Sequence, residues 1–364
     1  MSKKKKLIIV AITATAAAIA AVIGVRLYAR HNSGLVSVEQ AREELNDFSF
    51  SDYENLDFMC DVDLFDTDRL YEISAEVRNT VTESDKRRCM ELLGIFSKKD
   101  YSKSIPEDNG YMYEYDDEEF GVQYYGSGTF NVWNNSLSDI MYQSEITANK
   151  NDRFSLDKGS VSLNGKQIDI AELETRISKI LKEDYLEYIN KDDTIIPKYA
   201  VKAKNTDGFE FIVIRFIHSF KGLEFNDSGF PSTDDSFIRP GFIDVLVDDN
   251  EDIIRISNSY YFNIIDTNEV SDIISISDAA DNLSKILAPY LKYKVTEVGL
   301  KYVCKTCQGE TELRYVPMWC FTLDEFNGND TEYFPKTTAF VDAQSGDVYL
   351  SNNKDDTFEE HKNE

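Results

Sequence analysis

Histidine is the scarcest chemistry-bearing residue in this 364-residue chain, with three copies. His31 adjoins an apolar run and His361 stands near the C-terminus, which leaves His218 alone in a stretch patterned for folding. His218 comes near the end of the apolar run Phe209–Phe220 with no paired Asp or Cys in sight. The pattern reads as a packed strand-end histidine in preference to a catalytic base, and a His-dependent triad has little to stand on. Glycine-rich phosphate cradles are absent. The acidic clusters at Asp61–Asp68, Asp116–Glu119, Asp234–Asp235 and Asp248–Asp252 lack the Asp-x-Asp-x-Asn-Gly spacing and late Glu of a calcium loop, and read as solvated turns. Of five cysteines, two form the motif Cys304-Lys-Thr-Cys307. Without a second CxxC or a His pair it lacks the four ligands of a structural zinc. It also falls in a predicted reversal between two strands, whereas thioredoxin-like chemistry needs a strand-to-helix turn that lowers the thiol pKa. A local disulfide between Cys304 and Cys307, or two free thiols, fits that position. Cys60, Cys89 and Cys320 fall in apolar patterns and read as packed thiols. No catalytic, cofactor or metal site is expected.

Positive charge is also in short supply, with 39 Lys and Arg against 66 Asp and Glu and a formal net charge of −27. Residues 1–30 carry basic residues and no acidic ones, so the remainder is more acidic still. Such a surface repels phosphate backbones and excludes nucleic acid as a partner. It stays compatible with basic partners or divalent cations, and it keeps an exposed protein soluble.

One long hydrophobic run is present. Leu7–Val25 is broken only by Thr13, Thr15 and Gly24, and at ~1.5 Å per residue it spans roughly 28 Å, enough for a bilayer core. Small residues such as Ala16-Ala-Ala18 lie inside the run, so an uncleaved signal anchor is favoured over a removed leader. Four Lys before the run against Arg26 and Arg30 after it place the N-terminus in the cytoplasm and the bulk of a single-pass protein outside.

Beyond the linker 30–34, Ser37-x-x-Gln40 forms a capping box for a short helix through Leu45. Alternation predicts strands over Asn55–Leu64 and Leu70–Asn79. Thr82 caps a helix whose apolar face is Cys89, Leu92, Leu93 and Phe96, followed by strands at Tyr111–Tyr115, Phe120–Tyr125 and Thr129–Trp133. A second helix starts at Asp169 with the stripe Leu173, Ile177, Ile180 and Leu181. Strands at Tyr199–Lys204 and Phe209–Phe220 follow, the latter apolar on both faces and so expected to be central. Lys221–Pro240 is the longest candidate for a functional loop. A third helix, with Ser277 as N-cap and Ala280, Leu283, Ile286 and Leu287 on one face, precedes strands at Lys294–Val303, Glu312–Leu323 and Thr337–Leu350. In the last of these, Gln344–Asp347 forms a turn shaped by Asp342 and Gly346.

Val247–Ser257 aligns without gaps on Val341–Ser351, with Ile254 and Ile256 opposite Val348 and Leu350. The expected fold is therefore α+β, an N-terminal transmembrane helix followed by about three αβββ units in tandem. The boundaries are 1–30 for stub and anchor, then modules at 35–150, 155–265 and 270–351, and a disordered tail at 352–364.

The helix opening Ser277-x-x-Ala280, the strand Tyr315-Val-Pro-Met-Trp-Cys-Phe321 and the hairpin Val341-Asp-Ala-Gln-Ser-Gly-Asp-Val348 together resemble the PepSY type of bacterial extracytoplasmic domain. More loosely they are similar to membrane-anchored regulators of Gram-positive cell-wall sensor kinases. The first resemblance implies binding of peptides, proteases or envelope regulators, and the second implies contact with another membrane protein. The expectation is a non-enzymatic, membrane-anchored interaction or regulatory protein of the cell envelope, held through residues 7–25. The alternatives are a carboxylate-dependent envelope hydrolase, with the Lys221–Pro240 loop over a cleft, and a thiol-exchange protein using Cys304 and Cys307.

Overall fold

The structure is a computed structural model that describes residues 34–46, 53–60, 62–63, 65, 67–76, 81–101, 112–125, 129–135, 153–154, 156, 159–189, 194–204, 208–226, 230–231, 237–238, 242–259, 262–288, 292–308, 312–326, 337–352 and 357–361. The run 7–25 lies outside the described residues. Among those described, no helix is long and apolar enough to cross a membrane.

Strands dominate. In chain order they are β1 (Leu35–Ser37), β2 (Leu56–Phe58), β3 (Val62–Asp63), β4 (Leu70–Glu76), β5 (Met112–Asp116), β6 (Phe120–Tyr125), β7 (Phe130–Asn134) and β8 (Arg153–Phe154). Next come β9 (Ser160–Leu163), β10 (Lys166–Asp169), β11 (Thr194–Lys204), β12 (Glu210–Phe220), β13 (Leu223–Glu224), β14 (Phe230–Pro231), β15 (Phe237–Ile238) and β16 (Phe242–Val247). The last are β17 (Ile253–Ser259), β18 (Asn263–Val270), β19 (Asp272–Ile274), β20 (Lys292–Gln308), β21 (Glu312–Phe326), β22 (Thr337–Asp342), β23 (Val348–Asn352) and β24 (Thr357–His361). The helices among the described residues are α1 (Val38–Asn46), α2 (Glu83–Ser97), α3 (Ile170–Ile180, continued by a π-helical turn Leu181–Tyr185 into Leu186–Ile189) and α4 (Ile276–Ile286).

Two nine-stranded sheets organise these elements. The first has the order β5-β6-β7-β17-β16-β12-β11-β8, with β13 attached to β12. As the doubly apolar pattern of Phe209–Phe220 required, β12 is interior, between β11 and β16. On one face α2 and α3 close a core that includes Cys89, Leu93, Leu173, Ile177, Ile214 and Val245. In the second sheet β20 and β21 are the long central pair. There α1 and α4 cover a core containing Ala41, Leu45, Ala280, Leu283, Trp319 and Val341.

The pairing overturns the expectation of tandem αβββ modules. The three short strands β5–β7 do not form a sheet of their own: β7 pairs antiparallel with β17, fusing the segments around α2 and α3 into one sheet. β4 does not lie beside the strands that precede it but pairs with β18 and with Glu312–Tyr315 of β21. The predicted strand Asn55–Leu64 is split into β2 and β3, both parallel to β20. The physical reason is edges. A three-stranded sheet leaves two unpaired edges, and merging sheets removes most of them, a gain that local periodicity does not encode. The tail, expected to be disordered, contributes β24 against β23.

One edge of β21 is forked, with β4 along Glu312–Tyr315 and β22 along Met318–Leu323. Pro317 sits at the fork. Proline cannot donate to a ladder, and its position between the two partners leaves no bond to be lost, while its carbonyl accepts from Ala343 N–H at 3.1 Å.

The chain enters the first sheet after β4 and returns at β18, and these two strands pair with Glu76 opposite Asn263. A strap makes a further connection between the sheets. After β12 a tight turn at Lys221 (φ 52°) and Gly222 (φ 88°) leads through β13 to Phe225, which bridges to Tyr302 of β20. Phe225 packs on Phe262, Tyr302 and Tyr315 at centroid distances of 5.2, 5.4 and 5.2 Å.

Candidate functional site

The hairpin residues expected to shape a turn do so through backbone capture. Asp342 Oδ1 accepts from Gln344 N–H (2.8 Å) and Ser345 N–H (3.1 Å), and its Oδ2 accepts from Lys305 Nζ. Gly346, at φ 77°, donates to Asp342 O at 2.8 Å. Lys305 is half-buried over the Tyr349 ring. Burial alone would lower its pKa, but the bond and charge of Asp342 outweigh it and the ammonium is held above its usual 10.5.

Two of the acidic clusters, Asp116–Glu119 and Asp248–Asp252, serve the same purpose, while Asp234–Asp235 lies outside the described residues. Asp248 Oδ1 accepts from Asn250 and Asp252 N–H at 2.8 and 2.9 Å. Asp117 Oδ1 accepts from Glu119 and Phe120 N–H at 2.8 Å each, and its Oδ2 from the Tyr101 hydroxyl. Burial pushes the Asp117 carboxyl up, but these hydrogen bonds prevail and hold it below its ordinary value. Among the described residues no three His, Cys, Asp or Glu side chains converge as a metal site.

Cys304 and Cys307 lie within β20, opposite Tyr315 and Leu313, because the strand runs beyond the predicted limit at Val303. Cys304 is buried, and the Cys307 side chain lies outside the described residues. Three steps of regular strand cover roughly 10 Å, against the ~7 Å limit for a bridge, so a disulfide would require the ladder to open at its bulge. His218 is buried in β12 with Nε2 3.1 Å from Asn258 Oδ1, the packed position expected of it. Lys221–Pro240 supplies the strap and a small β14–β15 hairpin.

A groove of about 550 Å³ at the end of α3 was not anticipated. It is lined by Ile95 of α2 and by Lys182, Glu183, Asp184, Leu186, Glu187 and Tyr188. Asp169 caps α3, its side chain accepting from Glu172 N–H at 3.0 Å, and Leu173, Ile177, Leu181 and Tyr185 are buried along one side. The π-helical turn Leu181–Tyr185 then widens the helix. Lys182, Glu183 and Asp184 remain in solvent while Leu181 and Tyr185 stay in the core. Tyr185 stacks on Phe130 with centroids 6.5 Å apart. The Tyr188 hydroxyl donates to Glu91 Oε2 at 3.1 Å, and the Arg88 guanidinium lies 5.8 Å from its ring centroid. Burial first, and the Glu91 carboxylate second, raise the Tyr188 phenol well above its usual range. The groove thus offers an apolar floor of Ile95, Leu186 and Tyr188 beneath three exposed carboxylates and one Lys. The signal that could have revealed it is the continuation of the α3 stripe from Leu181 to Tyr185 and Tyr188.

No family model and no curated protein matches the chain. Among solved structures it is similar to an uncharacterized protein from Eubacterium rectale ATCC 33656, at 13% identity and a TM-score of 0.56, covering 85% of this chain and 98% of that one. That likeness is one of fold. It also aligns with the Bacillus megaterium YpeB C-terminal domain at 12% identity, covering 78% of this chain and 100% of that one, with a TM-score of 0.29. At that score the overlap carries no structural argument.

Proposed function

We propose that this protein is a non-enzymatic, membrane-anchored extracytoplasmic binding protein of the cell envelope, whose α3 groove takes a basic peptide or protein segment with an apolar anchor residue. The observation that carries this reading is the groove itself. Glu183, Asp184 and Glu187 stand around Ile95, Leu186 and Tyr188, the chemistry that receives Lys or Arg beside one apolar side chain. The net charge of −27 favours the same class of partner by steering it from a distance. The apolar run 7–25 supports a membrane tether, and the PepSY resemblance of the C-terminal region supports a peptide or envelope regulator as the ligand.

The hydrolase alternative draws less support. The three groove carboxylates are exposed in an open site, whereas a carboxylate acid–base pair works from surroundings that drive the two groups apart in pKa.

The test is titration of a basic peptide panel against the full chain in lipid nanodiscs. With Glu183→Lys and Glu187→Lys together, affinity should fall about tenfold or more, and wild-type binding should weaken with salt. Equal binding by wild type and the double variant would remove the groove from the function.

A further inference from the structure

The face of the first sheet turned away from α2 and α3 carries a straight polar row. Gln123 of β6, Asn131 of β7, Ser257 of β17, Asp244 of β16, Arg215 of β12 and Tyr199 of β11 stand opposite one another in turn. Their sequence neighbours Val122, Val132, Ile256, Val245, Ile214 and Ala200 belong to the core under the helices, so alternation puts the row on the other face. Neighbouring strands lie about 4.8 Å apart, and the row therefore crosses about 24 Å of sheet. Its members are half-buried, and several are held in place by each other. Arg215 Nε and Nη2 donate to the two Asp244 oxygens at 2.8 Å each, and the guanidinium carbon lies 3.8 Å from the Phe242 ring centroid. Arg255 Nε donates to Ser257 Oγ at 2.7 Å and its Nη2 to Asn131 Oδ1 at 3.2 Å. Side chains fixed in this way have little freedom left to lose when a ligand arrives. The row runs between two apolar ones. Trp133, Leu246, Val213 and Val201 flank it on one side, with Arg255 among them, and Phe242, Ile217 and Ile196 on the other. The Trp133 indole lies across Gly121, where an added Cβ would stand 2.3 Å from the ring, so the surface beside Gln123 stays flat.

We propose that this face binds a neutral linear glycan strand laid across the β-strands, independently of the α3 groove. Arg215 and Asp244 cancel, and Gln123, Asn131, Ser257 and Tyr199 are uncharged. Glu114, opposite Gln123, offsets Arg255. The row is thus neutral in a chain of net charge −27, and a charged polymer gains nothing from such a surface. A sugar ring has apolar C–H faces and a rim of hydroxyls, each a donor and an acceptor. Amide, hydroxyl, carboxylate and guanidinium groups in one line answer those hydroxyls, and the apolar rows on either side receive the ring faces. A peptide strand joins a sheet at an unpaired edge. Here the row crosses β7, β17, β16 and β12, each of which is paired on both sides.

Calorimetric titration of cellohexaose and of chitohexaose into the full chain in lipid nanodiscs tests the face. At least one of the two should bind, with an affinity that added salt leaves unchanged, and a saturating basic peptide should not displace it. Gln123→Ala and Asn131→Ala together should weaken binding about tenfold. Tyr199→Ala, at the other end of the row, should weaken it severalfold, and this variant decides the matter if the double variant does not fold. Failure of both saccharides to bind would overturn the proposal, as would binding that weakens with salt or that all these substitutions leave intact. Loss of basic-peptide binding in place of saccharide binding in the Gln123 and Asn131 double variant would give the face to a peptide, and would overturn it as well.

Discussion

The two hairpins that aligned in the sequence, β16–β17 in the first sheet and β22–β23 in the second, solve one problem with different parts. Both begin Val-Asp, and in both the Asp gathers backbone N–H groups of its own turn. The first turn is one residue shorter: Val247 pairs with Ile253, whereas Val341 pairs with Val348. A bulge at Ile254 restores the frame, so Leu246 meets Arg255 just as Phe340 meets Tyr349, and the gapless alignment holds on either side of the turn. Without that bulge every side chain of β17 would face the wrong way. The left-handed turn position differs as well, Glu251 (φ 64°) in one and Gly346 (φ 77°) in the other. Among the described residues only the second Asp has a cation, Lys305. A turn can thus change length and lose a partner while the sheet's facing pattern is kept.

The largest expected effect lies across from the hairpin starts. Trp319, opposite Val341, is fully buried, packs edge-on against Phe65 and donates to Ile274 O. Trp319→Ala should cost ~3–5 kcal/mol, and Ile212→Ala, opposite Val247, ~2–5 kcal/mol. In urea unfolding monitored separately in each sheet, each variant should shift its own sheet's transition first. Identical shifts in both would show that the sheets unfold as one.

Next, Asp342→Ala should cost ~2–3 kcal/mol because it strands turn N–H groups and the half-buried Lys305, against ~1–2 kcal/mol for Asp248→Ala. The difference has a pH signature. Lys305 has its pKa raised on folding, so its contribution is complete below 10.5 and is lost as pH rises through the folded value. Alkaline titration of stability should weaken wild type in that limb and leave Asp342→Ala with a flatter curve. Equal curves would mean that the ion pair contributes nothing.

The smallest effects test the left-handed position. Gly346→Ala should destabilise by ~1–2 kcal/mol and Glu251→Gly should stabilise by about 0.5–1 kcal/mol, both read from thermal unfolding. If Glu251→Gly destabilises, the Arg176 bonds to Glu251 at 2.7 and 3.2 Å outweigh the backbone strain.

Features determined by a few neighbouring residues were legible before the structure. The capping box Ser37–Gln40 forms, with Gln40 N–H bonded to Ser37 Oγ. Thr82 caps α2, and the interior place of β12 follows from its two apolar faces. The helix after the second sheet's entry starts two residues early, because Ser275 takes the cap by accepting from Asp278 N–H. Ser277 offers the same chemistry, and only packing distinguishes them. Pairings across long separations were not legible. Glu72 and Arg314 meet at 2.7 Å, yet nothing in Leu70–Glu76 says that its partner is Glu312–Tyr315. The groove was hidden for another reason. A π-helical turn is one extra residue in a helix, and Leu181, Tyr185 and Tyr188 fit ordinary helical spacing well enough to conceal it.

The adjacency of Glu76 and Asn263 at the point where the chain leaves and rejoins the second sheet has a mechanical consequence. Tension applied between Leu35 and Asn352 would be carried by β1, β19, β20 and the ladder beyond, since the first sheet hangs from that path as a closed side branch. The first sheet and its groove would stay unloaded until the β4–β18 ladder opened. Antiparallel strands pulled from the same end unzip one hydrogen-bonded pair at a time, and Leu70 stands opposite Val270, so once loaded the β4–β18 ladder would open pair by pair from that end.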